Sequence, residues 1–374
     1  MNLSTSAPFF TSDSRLMLVA AHPDDESLAC SVILQRAVSA SAAIHLLYAT
    51  DGENNPWPQR VSDRKWVLRA DDRKRWGKLR RAEALAALQI LEVPPSSAHF
   101  LALPDQGLTD LLTSDCEPIL ERFATSISSW APTDLLVPSI HDTHPDHSAL
   151  AVMLRLAKLY SDKTSASVWA YAVHGKSKAF FGRAQELQYS KGETSVKERA
   201  IRCHKTQLKL SRRRFLAYAV RPECFLKLKS CESTLADGPI RSISRQPDVL
   251  RLRFVFSTKL VPAAEATIFV LGRDAAGQVR CVRMRIPVRS SAVEVFDCRT
   301  RERVCVAQYR GSALAGEFAV PLDIFSSAHA LFAKVEHRSW FFDEAGWLEV
   351  APVVTRTTPA RIARTQSMGT EVLS

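Results

Sequence analysis

The most constraining feature of this 374-residue chain is the apolar run Leu16-Met17-Leu18-Val19-Ala20-Ala21, which meets His22-Pro23-Asp24-Asp25-Glu26 with nothing between them. Six apolar residues in a row, stopped by a polar cluster, suit a strand buried on both faces, as strands in parallel sheets are. Parallel strands require crossover connections, and the sequence supplies helical patterns for them. Glu26 to Val38 brings Leu28, Leu34 and Val38 to one face, and Leu79 to Leu91 is rich in Ala and Leu before Pro94-Pro95 stops it. Ile44–Thr50, His99–Leu103, Leu135–Pro138 and Val168–Val173 read as further strands. The expectation is an α/β domain over residues 1–232, a Rossmann-like, mostly parallel sheet with flanking helices. Such sheets bind ligands outside the carboxyl ends of their strands.

After about Phe225 the pattern changes. Val249–Phe256, Ala266–Leu271, Val279–Val288, Ala292–Phe296 and Val304–Tyr309 are short, β-prone and spaced by turn residues, with no helical pattern of similar strength between them. These segments predict a β-rich, sandwich-like accessory domain over 248–354, joined by a polar linker over 233–247. The Thr-, Arg- and Ser-rich stretch 355–374 reads as a disordered tail. Trp340, Phe341, Phe342 and Trp347 are read as sandwich core rather than as a sugar-stacking surface.

Composition removes some function classes. No run approaches the ~20 apolar residues a membrane span needs. Residues 1–14 hold no basic residue ahead of an apolar run, so no secretory signal is read and the cytoplasm is the expected compartment. The eight cysteines form no Cys-x-x-Cys pair, which points to reduced, packed thiols and away from a cysteine-based zinc site. The net charge of +11 is uneven. Arg60 to Arg81 has ten Lys/Arg against three Asp, and Lys197 to Arg214 has eight against one Glu. Such runs attract anions or simply solvate a helix face. Without a nucleic-acid motif, no nucleic-acid partner is expected.

The chemistry sits in two clusters, each directly after a predicted strand. His22-Pro23-Asp24-Asp25 follows the first, and His141-Asp142-Thr143-His144-Pro145-Asp146-His147 follows Leu135–Pro138. Imidazole and carboxylate are good zinc ligands, and a catalytic zinc takes three with one position open. His22, Asp25 and His147 make such a set. Asp24 is then placed to take a proton from an attacking water, and His144 to stabilise an oxyanion or protonate a leaving amine. Singly, each piece has a plain structural reading: His-x-x-His arises by chance, and Asp24 and Asp25 suit the first turn of a helix opened by Pro23. Two metal-type clusters on one edge of one sheet are harder to explain that way.

Ala21-His22-Pro23-Asp24-Asp25-Glu26 together with His144-Pro145-Asp146-His147 resembles the signature of the PIG-L/LmbE-like deacetylases, zinc-dependent enzymes that remove the N-acetyl group of N-acetylglucosamine conjugates. Thr50-Asp51-Gly52-Glu53, Arg80-Arg81-Ala82-Glu83, Lys197-x-x-Ala200 with Gln207, and Glu223-Cys224-Phe225 resemble further family segments. Pro104-Asp105-Gln106-Gly107-Leu108 resembles the Asp-Gly-x-Leu turn with altered spacing. The resemblance implies His22, Asp25 and His147 as ligands of zinc, or of ferrous iron in its place, Asp24 as general base and His144 at the oxyanion. It puts Arg80 and Asp105 at the sugar, with Glu53 and His174 as further polar groups of the pocket. For Glu53, Arg80 and Glu83 an internal ion-pair network is the competing reading. The implied partner is an amino-sugar conjugate, phosphate-bearing if the basic run after residue 60 rims the pocket. An amidase removing a larger N-acyl group would share the chemistry. A non-catalytic sugar-binding protein would have no use for Asp24.

Overall fold

A computed structural model describes residues 8–157, 165–228, 238–256, 266–336 and 342–353. The first sheet comprises β1 (Arg15–Ala20), β2 (Ala43–Thr50), β3 (Ala98–Leu103), β4 (Asp134–Pro138), β5 (Ser167–Tyr171), β6 (Gln185–Glu186) and β7 (Cys224–Lys227). Their order is β3-β2-β1-β4-β5-β7-β6; β1 to β5 run parallel, and β7 and β6 complete the sheet antiparallel. The strand order therefore reverses between β1 and β4, which opens a crevice at their carboxyl ends. β1 is buried on both sides: Leu16, Leu18 and Ala20 face one core and Met17 and Val19 the other.

The helices are α1 (Asp25–Leu28), α2 (Ser31–Ser39), α3 (Pro56–Asp63), α4 (Ala70–Ile90), α5 (Leu108–Thr113), α6 (Glu117–Trp130), α7 (Pro145–Leu156), α8 (Lys178–Phe181), α9 (Lys191–Cys203) and α10 (Lys205–Leu216). The single helix expected over Glu26–Val38 is two, broken at Ala29-Cys30. The break is stabilised from far along the chain. The Glu223 carboxylate accepts from the amides of Val32 (2.9 Å) and Ile33 (3.2 Å), so it caps α2, and pairs at 2.9 Å with the fully buried Lys197 of α9.

The second sheet is wholly antiparallel. It holds β8 (Ile240–Arg245), β9 (Val249–Val255), β10 (Thr267–Arg273), β11 (Val279–Arg285), β12 (Arg289–Asp297), β13 (Arg303–Ser312), β14 (Ala315–Pro321), β15 (Leu331–Glu336) and β16 (Leu348–Val350), in the order β16-β15-β10-β11-β12-β13-β14-β9-β8. The sheet curls over its own core until its edge strands approach, so one sheet supplies both layers. Arg245 of β8 bridges the gap, donating to the carbonyls of His329 (2.6 Å) and Ser326 (2.7 Å). Part of the stretch read as linker is thus an edge strand. Ile240–Arg245 carries only two isoleucines among polar and basic residues, a weak strand signal that is common at sheet edges. Residues 233–237, Trp340, Phe341 and the stretch 355–374 lie outside the described residues.

The two sheets share a core. Phe269, Leu271 and Phe332 of the second sheet, with Trp347 just before β16, pack with α5, α6 and α7 of the first domain. The segment before β16 is bonded to the loop after β4: Trp347 donates its amide to the Ile140 carbonyl (3.0 Å) and Asp343 to that of Thr143 (2.9 Å). Gly346 permits this approach, because a Cβ there would lie 2.0 Å from the Ile140 oxygen. Arg155 of α7 pairs with Glu349 at 3.1 Å. The segment is also anchored to its own sheet by a buried ion pair, Lys334 to Asp343, at 2.6 Å. Removing one partner strands the other charge inside the protein, and Asp343→Ala is expected to cost about 3 kcal/mol. Chemical denaturation would measure this, with Lys334→Met/Asp343→Leu recovering most of the loss.

Candidate active site

All five parallel strands of the first sheet deliver residues to one cleft. His22 and Asp24 follow β1, Asp105 follows β3, His144 opens α7 after β4, and His174 follows β5; Arg80 reaches in from α4, while β2 leads to Gly52 beneath it. The cleft has a volume of about 410 Å³. Its polar end is this set, and its walls are aromatic and aliphatic, including Leu28, Trp57, Leu210, Phe215 and Phe342.

At the floor of the cleft, His147 stands close to both His22 and Asp25. His22 Nδ1 lies 3.1 Å from His147 Nε2, and the same His147 nitrogen lies 3.4 Å from Asp25 Oδ1. Among the described residues, two sets have donor atoms close enough together to hold one ion: His22 with His144 and His147, and His22 with Asp105 and Asp146. Asp25 adjoins the first of these through His147. The opposite side of each group is already engaged. His147 Nδ1 faces Asp142 Oδ2 at 3.2 Å, and His22 Nε2 faces Asp105 at 3.1 Å and Asp146 at 3.2 Å. The second Asp25 oxygen accepts from the amides of Ala21 (2.9 Å) and His22 (3.0 Å), which leaves Oδ1 to turn inward. Carboxylates behind imidazoles fix the tautomer and raise ligand basicity, as metal sites require. The donor set suits zinc or ferrous iron.

The residues expected at the sugar divide. Arg80 lines the cleft, but its guanidinium is bound inward: Nη2 pairs with Asp24 Oδ2 at 2.8 Å and Nη1 donates to the Gly52 carbonyl at 2.8 Å. Gly52 (φ +63°) makes room for it, since a Cβ would fall 1.8 Å from Nη1. Burial pushes the Asp24 carboxyl up, but Arg80 and the neighbouring imidazoles outweigh this and hold it below the usual range. Asp24 is therefore a carboxylate at neutral pH. Asp105 lines the cleft while its carboxylate meets His22 and the amide of Asn54 (2.7 Å). Glu53 lies behind it and accepts from the Asp105 amide at 2.9 Å. Glu83 holds the amide and hydroxyl of Thr206, near the start of α10. Burial and the charges of His22 and His147 hold the His144 ring well below its usual pKa. Its Nδ1 accepts from the Asp146 amide at 3.2 Å, so the neutral ring carries its proton on Nε2. His174 lines the cleft between His144 and His147, with ring centroids 5.4 and 5.2 Å away, and burial pulls its pKa down to about 3.

Two residues here carried no assigned role in the sequence. Asp142 accepts from four groups: the His147 ring and the amides of His144, Val173 and His174. Asp146 accepts from His22 and from the amides of Gln106 (2.7 Å) and Leu108 (3.1 Å). Gln106 stands where the Asp-Gly-x-Leu pattern has its glycine. It takes a left-handed conformation (φ +61°), and its amide is the one that meets Asp146. The only signal for either aspartate was its place inside the histidine cluster. His204, which had no evident partner, is buried against Glu26 and Ser27 at 3.0 Å. His45 and His99 stack on each other at 4.6 Å outside the cleft. Of the basic run 60–81 only Arg80 lines the cleft; Lys65, Arg75 and Arg81 pair with Asp72, Asp63 and Asp51. Among the described residues no helix is long and apolar enough to cross a membrane.

Residues 17–158 match the PIG-L family model, described as GlcNAc-PI de-N-acetylase. This segment is a PIG-L domain, and the sequence motifs lie within it. No curated protein matches the chain. Among solved structures, it is similar to an N,N'-diacetylchitobiose deacetylase from Pyrococcus horikoshii (14% identity, 58% of this chain and 83% of that one, TM-score 0.43). It is similar also to a deacetylase of the teicoplanin biosynthetic pathway (19%, 58% and 100%, TM-score 0.43). A third is the 4-carboxy-2-hydroxymuconate hydratase GalB from Pseudomonas putida KT2440 (18%, 55% and 83%, TM-score 0.41).

The carboxylates around His22 and His147 outweigh burial and raise both imidazole pKa values. A metal must displace those protons, so affinity is expected to fall as pH falls through the raised range. Calorimetric Zn²⁺ titrations in buffers of different ionisation enthalpy would show the proton release. Asp142→Asn is expected to weaken binding by about 10- to 100-fold and His45→Ala to leave it unchanged.

Proposed function

We propose that the chain is a metal-dependent hydrolase that removes the N-acetyl group of an N-acetylglucosamine-type sugar conjugate. The observation that carries this reading is His147 Nε2 standing 3.1 Å from His22 Nδ1 and 3.4 Å from Asp25 Oδ1, beside a carboxylate held ionised by Arg80. The PIG-L match over 17–158 supports the same assignment.

In this reading His22 Nδ1, Asp25 Oδ1 and His147 Nε2 hold zinc or ferrous iron. A metal held there would supply Lewis acidity to the acyl carbonyl and to the attacking water. Asp24 takes the proton of that water as the carbon–oxygen bond forms. Arg80 holds one Asp24 oxygen and so orients the carboxylate while keeping it charged. His144, neutral with its proton on Nε2, donates a hydrogen bond to the oxygen that becomes negative at the tetrahedral carbon. Asp24 then returns its proton to the departing amine, the carbon–nitrogen bond breaks, and acetate and the free amino-sugar leave. His174, kept neutral by burial, adds a polar wall without adding charge.

The walls bear on the substrate. Leu28, Phe215 and Phe342 give the cleft an apolar side, which favours a conjugate with an apolar group next to the sugar, or an N-acyl group larger than acetyl. A phosphate would meet Arg214, which also lines the cleft. Amine release from a panel of N-acyl glucosamine conjugates, with metal content measured in parallel, tests the reading. Asp24→Asn is expected to lower kcat by about 10²- to 10⁴-fold with metal content unchanged. His147→Ala is expected to lose both. A protein that takes up no metal after reconstitution, or an Asp24→Asn variant as active as wild type, would refute the assignment.

A further inference from the structure

The surface changes character at the mouth of the cleft. Trp57 of α3 lines the cleft yet is 62% exposed, and Val61 follows one turn later on the same exposed side. The loop after α3 turns Trp66 and Val67 outward, 82% and 76% exposed. On the neighbouring α10, which packs against α3, Leu210 is exposed and lines the cleft. Among the described residues, Trp57 and Trp66 are the exposed tryptophans, one lining the cleft and the other in the loop that follows α3.

Cations interleave with these side chains. The Arg60 guanidinium lies 5.0 Å over the Trp57 ring, and Arg64 and Arg69 bracket Trp66 and Val67. None of these three arginines pairs with a carboxylate among the described residues. Lys209 and Arg213 are exposed on α10. The loop is fixed rather than loose. Lys65 pairs with Asp72 at 2.7 Å, Arg75 with Asp63 at 2.5 Å, and the Gln59 side chain donates to the Asp72 carbonyl at 2.7 Å. An apolar set held out in water among unpaired cations is the composition of an interfacial anchor: aromatic and aliphatic groups enter the headgroup layer while Arg and Lys meet anionic lipids. A nucleic acid would use the cations and the indole rings, but Val61, Val67 and Leu210 would gain nothing from it.

We propose that α3, the loop of residues 64–69 and the exposed side of α10 seat the protein on an anionic lipid bilayer, with the cleft opening at the membrane surface. This assignment goes beyond the hydrolase reading, and vesicle binding involves no turnover, so either can fail alone. Co-sedimentation with phosphatidylcholine vesicles, with and without phosphatidylglycerol, tests it. Wild type is expected to bind the phosphatidylglycerol vesicles about tenfold or more tightly than the neutral ones. Trp66→Ser/Val67→Ser is expected to weaken that binding about tenfold at an unchanged thermal midpoint, and Arg64→Glu to reduce the lipid preference. Absence of binding, equal binding to both vesicles, undiminished binding by the double variant, or tighter binding to a DNA duplex than to phosphatidylglycerol vesicles would each overturn the proposal.

Discussion

One buried carboxylate organises the centre of this molecule. Asp142 is fully buried and accepts from the His147 ring, the His144 amide, and the amides of Val173 and His174. These donors come from the loop after β4, the first turn of α7 and the residues after β5. Burial alone would raise its pKa, but the imidazole and the amides pull it down to about 2. A charge so buried is tolerable only because four donors surround it, and the same four bonds fix the ring of His147 and the start of α7. The floor of the cleft therefore inherits its geometry from a residue that faces away from it.

Arg80 and Gly52 do the same for the other side. The guanidinium bonds Asp24 and the Gly52 carbonyl, and lies where any side chain at residue 52 would be. The family resemblance put Arg80 at the sugar, while an internal ion pair was the competing reading. The structure has the arginine both lining the cleft and bound to Asp24, so that its direct effect falls on the carboxylate.

The parts of this arrangement that were legible in the sequence are local. β1 announces itself through Leu16 to Ala21, and the clusters at His22 and His144 stand directly after their strands, so strand ends and metal-type residues could be read together. The rest depends on partners far apart in the chain. The break between α1 and α2 is stabilised by Glu223, almost two hundred residues later. Asp105 and Asp146 meet at His22 only because β4 ends beside β1 and β3 ends on its other side, beyond β2. β8 was hidden by its edge position, where two isoleucines suffice for one buried face. The exposed tryptophans left no mark in the charge pattern, since only solvent exposure separates Trp57 and Trp66 from the buried Trp76.

Phe342, which walls the cleft beside His144 and His174, belongs to the segment that the second sheet anchors through Asp343 and Lys334. The metal-type residues and Asp24 therefore precede, by about two hundred residues of chain or more, the wall that closes beside them. The wall at Phe342 thus ties the shape of the cleft to the packing of the second sheet.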